Sequence, residues 1–218
     1  MPEILNEIEA RIVGALVEKQ LTTPEYYPLT LNALVNACNQ KNNREPVVSY
    51  DDKIVSDAIE RLRDRNLVYV FYGSTSRVPK YKHMLPSVYE LEPSETAVMC
   101  VMLLRGPQTL GELRTRTERL YEFSNLGEVQ ETLDGLARRD EPLVIKLPVQ
   151  PGQKEARFAH LLSGEIDIEA FAAAQTASHS RSNSGAERIE KLEEEVAALC
   201  REVGEIKTTF EEFRKQFD

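Results

Sequence analysis

The sequence predicts an α+β fold, mostly helical, in which two tandem winged-helix (helix-turn-helix) modules precede a C-terminal coiled-coil helix. In residues 51–84, apolar side chains recur at helical spacing and then give way to a β-branched and aromatic run, as in a helix leading into a hairpin. The same pattern returns about 74 residues later. From Glu187 onward, apolar residues alternate three and four apart, which is the spacing of a coiled-coil seam.

The first winged-helix module is assigned to residues 1–92. An apolar stripe predicts a first helix over residues 3–20, and Thr30 begins a second helix. Ser49, with an acidic residue three positions later, predicts the N-cap of the third helix, in an acidic variant of the capping box. Two extended runs around a turn-rich loop then predict a hairpin over residues 67–85, which completes the module.

The second module, residues 93–162, repeats this order of elements. Thr109 and Asn125 are each followed three residues later by glutamate, and this spacing predicts the N-caps of its second and third helices. Two extended runs around a Pro/Gly turn predict a second hairpin, in which His160 matches His83 of the first hairpin. The ordered series of matches, with offsets that change only at loops, indicates two related modules.

The composition changes after residue 162. Residues 163–186 are assigned to a flexible linker, because residues 176–185 are small and polar, while residues 164–175 leave a short helix open. Residues 187–218 predict a coiled-coil helix through which the chain self-associates, and the alternative is a lone amphipathic helix docked on its own body. Bulky phenylalanines in the seam leave the oligomer number open. The predicted seam positions are Ile189, Leu192, Val196, Leu199, Val203, Ile206, Phe210 and Phe213.

The net charge of −9 is distributed unevenly. Residues 163–218 carry 7 basic and 13 acidic residues, whereas the two modules are nearly neutral, so the acidity does not exclude nucleic acid as a partner of the modules. The longest apolar run falls far short of the roughly 18 residues that span a bilayer, and three widely spaced cysteines provide no disulfide framework. These features predict a cytoplasmic protein with free cysteines and no membrane partner.

Catalytic signatures are absent from the sequence. It lacks the glycine-rich phosphate loops, the GxSxG nucleophile elbow and the HExxH zinc motif. Of its three histidines, His179 lies in the predicted linker, while His83 and His160 occupy equivalent places in the hairpins. That equivalence favours packing or hydrogen bonding over a shared metal site. We therefore expect no enzymatic activity, no catalytic residue, no metal and no cofactor.

The first hairpin is the strongest charge feature of the two modules. Residues 65–89 contain no acidic residue but several lysine, arginine and tyrosine side chains, so the wing can neutralise DNA phosphates. The alternative is that the lysines protect an exposed sheet edge while half of the aromatics face the core. Acidic residues on both third helices oppose base recognition by those helices. The candidate DNA-backbone contacts are Lys41, Arg44, Arg77, Lys80 and Lys82.

Three segments carry a resemblance to a known family: EARIVGALVEKQLTTPEYYPLTLNALVNACNQKNNREPV, SRVPKYKH and ELEPSETAVMCVMLLRGPQTLGELRTR. Over about residues 3–162 the chain resembles the YceH-like family of uncharacterised bacterial tandem winged-helix proteins. The resemblance implies the fold and supplies no catalytic or ligand-binding residues. Two functions stay open, a DNA-associated transcriptional regulator and a protein–protein interaction scaffold without direct DNA binding.

Overall fold

The chain folds as a mostly helical α+β structure with two small antiparallel sheets, in a computed structural model that describes residues 4–72, 78–149 and 153–166. The elements of the first half are α1 (Glu7–Thr22), a 3-10 turn (Pro24–Tyr26), β1 (Leu29–Thr30), α2 (Leu31–Cys38), α3 (Asp52–Asp64), β2 (Val68–Tyr72), β3 (Pro79–His83) and α4 (Leu85–Tyr89). Those of the second half are α5 (Pro93–Arg105), α6 (Leu110–Thr117), α7 (Leu126–Ala137), β4 (Val144–Lys146) and β5 (Phe158–His160).

Side-chain caps fix most helix starts. Thr30 and Thr109 each accept a hydrogen bond from the backbone N–H three residues on, at 3.3 and 3.2 Å, which confirms the start predicted for α2 and the cap predicted for α6. The cap predicted for α3 is wrong. Asp51, not Ser49, accepts from the Ile54 N–H at 2.8 Å. Asp51 directly precedes the first helical residue, and its carboxylate also meets the positive end of the helix dipole.

The first sheet has the strand order β1-β3-β2, so β3 is its central strand. In this register Val68 lies opposite His83, and Leu29 of β1 lies opposite Tyr81. The Tyr27 hydroxyl accepts a hydrogen bond from the His83 backbone N–H at 2.8 Å, which ties the connector before β1 to the end of the hairpin. The sequence predicts neither β1 nor α4.

The second sheet repeats the register of the first. Val144 lies opposite His160, as the equivalent valine and histidine pair in the first hairpin. Gln108 directly precedes the N-cap of α6, and its backbone exchanges hydrogen bonds of 2.9 and 2.7 Å with that of Phe158. That bridge corresponds to the pairing of β1 with β3, so both halves share the order of three helices and a hairpin.

The two halves pack together through their first helices, α1 and α5. A methyl group on Gly14 would lie 2.9 Å from the Leu104 side chain and 3.1 Å from that of Leu103, so only glycine allows this approach without a shift of those side chains or of α5. The Glu45 N–H also donates to the Leu104 carbonyl at 2.9 Å. One hydrophobic core therefore runs through both halves, and residues up to Ile166 form a single unit.

The predicted coiled-coil helix, residues 187–218, lies outside the described residues, as does the predicted linker from residue 167 onward. The seam positions therefore stay a prediction. Among the helices of the described residues, none is long and apolar enough to cross a membrane.

Candidate functional site

The first hairpin presents a face on which aromatic and lysine side chains alternate. Tyr69 lies opposite Lys82, and Phe71 lies opposite Lys80. Directly paired residues, and residues two apart along a strand, project from the same side of a sheet, so these four side chains share one side, called here the hairpin face. Tyr69 and Phe71 are 59% and 47% exposed. Lys82 is exposed and Lys80 is half-buried.

The opposite side of the hairpin belongs to the core. Val68, Tyr81 and His83 are buried there, and Val70 packs against them. Strand alternation thus sends one aromatic ring inward and leaves Tyr69 and Phe71 in solvent. The hairpin is anchored by one side, and its other side is free to meet a partner.

The lysines of the hairpin face do not protect a sheet edge. Lys80 and Lys82 lie on the central strand β3, whereas the edge strand β2 carries the exposed rings. The edge-protection alternative is therefore wrong. Within residues 4–72, 78–149 and 153–166, neither lysine forms an ion pair. Both ammonium groups can therefore engage a ligand without breaking an ion pair of the described residues.

Arg44 is wrong as a candidate phosphate contact, because its side chain is buried. Its guanidinium forms a two-point ion pair with Glu18, with Nη1 to Oε1 at 3.1 Å and Nη2 to Oε2 at 2.6 Å. Nε and Nη2 also donate to the Ala37 carbonyl at 3.1 and 2.9 Å, near the end of α2. Arg44 is 3% exposed, and it fastens the loop after α2 to α1.

The structure describes three of the other four candidate phosphate contacts. Lys41 is exposed in the loop that follows α2. Arg77 lies outside the described residues, so its role stays a prediction. Lys80 and Lys82 are thus the two predicted contacts that the structure places together on one face.

Two of the four acidic residues of α3 pair with basic residues of the same helix. Lys53 donates to Asp57 at 2.8 Å, and Arg63 donates to Glu60 at 2.6 Å. The Asp51 carboxylate caps the helix. These pairings reduce the negative field that α3 presents to a polyanion, although the helix offers no free basic side chain of its own for base contacts.

Two of the three carboxylates of α7 have structural partners. Glu128 accepts from the Ser124 N–H at 2.8 Å and from the Tyr121 hydroxyl at 3.0 Å, and these bonds lower its pKa. It therefore does not complete the capping box predicted with Asn125, whose side chain nevertheless accepts from the Glu128 N–H at 3.1 Å. Asp134 pairs with Arg138 at 3.1 Å.

The two hairpin histidines are packing residues in equivalent places. Both ring nitrogens of His83 and Nδ1 of His160 are buried and have no hydrogen-bond partner among the described residues. Burial lowers the pKa of each histidine to about 4, so both rings are neutral at neutral pH. Burial likewise raises the pKa of the Cys38 thiol to about 12. In the described part of the chain, no cluster of His, Cys, Asp and Glu could hold a metal ion.

One buried charge cluster has no clear signal in the sequence. Glu9 is fully buried, and its carboxylate accepts from Arg61 Nε at 2.7 Å and from Arg65 Nη1 at 3.1 Å. It also closes the capping box of α1 with Asn6. Arg65, which adds to the basic character of residues 65–89 in the sequence, is thus engaged in holding α1 to the start of the hairpin.

Comparison with known proteins places the whole chain among bacterial relatives. Residues 5–153 match the model of a family described as "Protein of unknown function, DUF480". The chain is 48% and 49% identical over 220 residues to UPF0502 proteins of Pelobacter propionicus and Geobacter sulfurreducens, covering 100% of both chains in each case. It is 49% identical over 216 residues to a UPF0502 protein of Vibrio atlanticus, covering 97% of this chain and 99% of the relative.

Proposed function

We propose that the chain, which belongs to the DUF480 family of proteins of unknown function, is a non-enzymatic, DNA-associated transcriptional regulator built from two winged-helix modules. The proposal rests on the hairpin face. One observation carries the proposal. Lys80 and Lys82 are free of ion pairs among the described residues and lie beside two exposed rings, on a hairpin whose sequence contains no acid.

The order of elements supports the winged-helix interpretation. Each half has three helices followed by an antiparallel hairpin, and in each half the residues just before the second helix pair with the second hairpin strand. The second and third helices then correspond to a helix-turn-helix pair, and the hairpin corresponds to the wing. We assign the DNA contact to the first wing, because residues 65–89 contain no acidic residue, whereas the second wing carries Glu155.

The geometry of the hairpin face suits a phosphate backbone. Two residues apart on β3, the Cα atoms of Lys80 and Lys82 are separated by about 7 Å, so the two ammonium groups can reach different phosphates. Tyr69 and Phe71 add apolar area beside them for sugar or base contacts. Lys41 and Arg77 are further candidate contacts on the strength of the sequence.

A salt titration of binding to duplex DNA tests the proposal. Replacing both lysines by glutamine removes two positive charges from the hairpin face. The slope of log K against log[salt] should then become shallower by about 2, since each phosphate contact contributes about 0.9. Lys154→Glu changes the net charge by the same amount at an exposed position of the second module and should leave the slope unchanged. Absence of binding by the unaltered protein at low salt overturns the proposal.

The exposed rings favour a second candidate function, a protein–protein interaction scaffold. Tyr69, Phe71 and Tyr72 together expose more aromatic surface than phosphate contact requires. If the protein is a scaffold, the double variant Tyr69→Ser/Phe71→Ser should abolish cross-linking to an identified partner protein. The unaltered protein should then not bind duplex DNA at all. The same variant should weaken DNA binding only modestly if the regulator assignment is right.

Self-association through the predicted coiled coil fits either role. An oligomer would present several hairpin faces, and dimeric DNA-binding proteins use such an arrangement to contact two half-sites. An interaction scaffold would gain avidity in the same way.

A further inference from the structure

A cavity of about 240 Å³ lies where the two halves meet, and the proposed DNA role makes no use of it. Its walls come from α1, residues 45–50, the end of α5, β5 and residues 163–166. Ala10, Met102, Leu103 and Ala159, all buried, give it an apolar lining. The volume suits a small molecule rather than a cofactor or an extended peptide.

Arg11 brings a buried positive charge to this cavity. The residue is 4% exposed, and its Nη2 donates to the Pro46 carbonyl at 2.7 Å. Nη1 is buried and has no hydrogen-bond partner among the described residues. Burial lowers the pKa of Arg11, and the neighbouring charge of Arg44 lowers it further. A desolvated guanidinium with unfilled donors is costly unless an oxyanion meets it.

A second residue that lines the same cavity also carries a polar atom without a partner among the described residues. Nδ1 of His160 is buried and, like Arg11 Nη1, lacks a hydrogen-bond partner in the described part of the chain. The imidazole is neutral at neutral pH, because burial lowers its pKa to about 4. Its Nδ1 can therefore donate or accept one hydrogen bond, according to its tautomer.

Carboxylates occupy the solvent side of the cavity. Glu7, Glu45 and Glu165 contribute to its lining, and all three are exposed. The cavity thus has a buried cation, apolar walls and an acidic mouth. A simple anion would satisfy Arg11 but would be repelled at the mouth, whereas a zwitterion is matched at both ends.

We propose that this cavity, the Arg11 pocket, binds a free amino acid with an apolar side chain. The carboxylate accepts from the Arg11 guanidinium, the ammonium group faces the exposed glutamates, and the side chain lies among the apolar residues. Since both halves line the pocket, an occupant also stabilises their packing.

Calorimetric titration of the full-length protein with leucine, methionine and phenylalanine tests this site. Two analogues of leucine separate the ligand classes: 4-methylpentanoate lacks the ammonium group, and 3-methylbutylamine lacks the carboxylate. At least one of the amino acids is expected to bind at millimolar concentration or below, and leucine to bind more tightly than either analogue. Binding of none of the three amino acids overturns the proposal, and so does equal affinity for leucine and 4-methylpentanoate.

Two variants assign the ends of the ligand. Arg11→Met should weaken amino-acid binding by roughly tenfold or more, because a charge-assisted hydrogen bond is lost. Glu45→Gln should weaken leucine binding several-fold and tighten 4-methylpentanoate binding, because the lost carboxylate attracts the ammonium group of leucine and repels the bare anion. A merely structural role of Glu45 does not produce this opposite pair of changes. Arg138→Met removes an arginine that is 78% exposed and lies outside the pocket. A loss of binding in that control equal to the loss in Arg11→Met overturns the assignment of Arg11 to the carboxylate of the ligand. If Arg11→Met does not fold, the Glu45 variant still tests the site.

Discussion

Replacing Arg44 by methionine is expected to destabilise the fold without affecting DNA binding. The substitution keeps most of the apolar stem of the side chain but removes the guanidinium that meets Glu18 at 2.6 and 3.1 Å. The Arg44 side chain is 0% exposed and that of Glu18 is 11% exposed. Glu18 would therefore keep a largely desolvated negative charge, and the Ala37 carbonyl would lose two of its hydrogen bonds.

The expected loss of stability follows from the burial of the Arg44–Glu18 ion pair. Removing one partner of a buried ion pair costs about 3–5 kcal/mol, because the remaining charge is left uncompensated. For a chain of this size each kcal/mol lowers the melting temperature by about 2–4 °C, so a decrease of roughly 6–20 °C is expected. Combining Arg44→Met with Glu18→Leu should recover part of that loss, since apolar replacements of a buried pair are often close to neutral.

Urea denaturation of the single and double variants measures these free energies of unfolding. Arg63→Met provides a matched control, because Arg63 also meets a glutamate at 2.6 Å, but its side chain and that of Glu60 are 43% and 61% exposed. That variant should lose far less stability than Arg44→Met, because solvent screens an exposed ion pair. A free energy for Arg44→Met within about 1 kcal/mol of the unaltered protein contradicts the buried pair and returns Arg44 to the set of candidate phosphate contacts.

Three further predictions concern packing, titration and assembly. In the same denaturation assay, Gly14→Ala should lower the free energy of unfolding by about 1–3 kcal/mol, because the added methyl group overpacks against α5. Gly111→Ala is the control: its added methyl group meets nothing within 4 Å, and it should stabilise the protein by up to about 1 kcal/mol. Destabilisation of equal size in both variants contradicts the close approach of α1 and α5. Folding lowers the pKa of His83 from 6.5 to about 4, so the unfolded chain binds the proton more readily in that window and stability should fall as the pH drops from about 6.5 towards 4. His83→Leu should remove up to about 3 kcal/mol of that pH dependence, and an unchanged dependence shows that the ring is accessible to protons. Leu199→Glu should convert an oligomer into a monomer by light scattering, and a monomeric mass for the unaltered protein refutes the predicted coiled coil.

Local signals in the sequence predict the order of elements. Thr30 and Thr109 mark the starts of α2 and α6 because an N-cap acts within one helical turn. The predicted resemblance to an uncharacterised bacterial family is confirmed by a match over residues 5–153 and by full-length relatives. The cap of α3 is misplaced because Ser49 and Asp51 both offer acceptable cap chemistry, and local spacing does not decide between them.

Long-range contacts are harder to predict from the sequence. Arg44 sits in a polar loop that has the composition of an exposed segment, and its partner Glu18 precedes it by 26 residues. Strand β1 has two residues and pairs with a strand about 50 positions later, so no local pattern reveals it. The exposed rings, in contrast, follow from simple alternation along β2: Tyr69 and Phe71 lie on one side, and Val68 lies on the other.

The burial of α1 and α5 indicates that one repeated half is not the unit that folds cooperatively; both halves together form that unit. Residues Glu9 to Glu18 of α1 are buried in unbroken succession, and so are Thr96 to Leu104 of α5. A half released from the other would expose one side of its own first helix to water. We therefore expect that neither half is stable without the other. The α1–α5 contact therefore sets the position of the hairpin face relative to the second half of the protein.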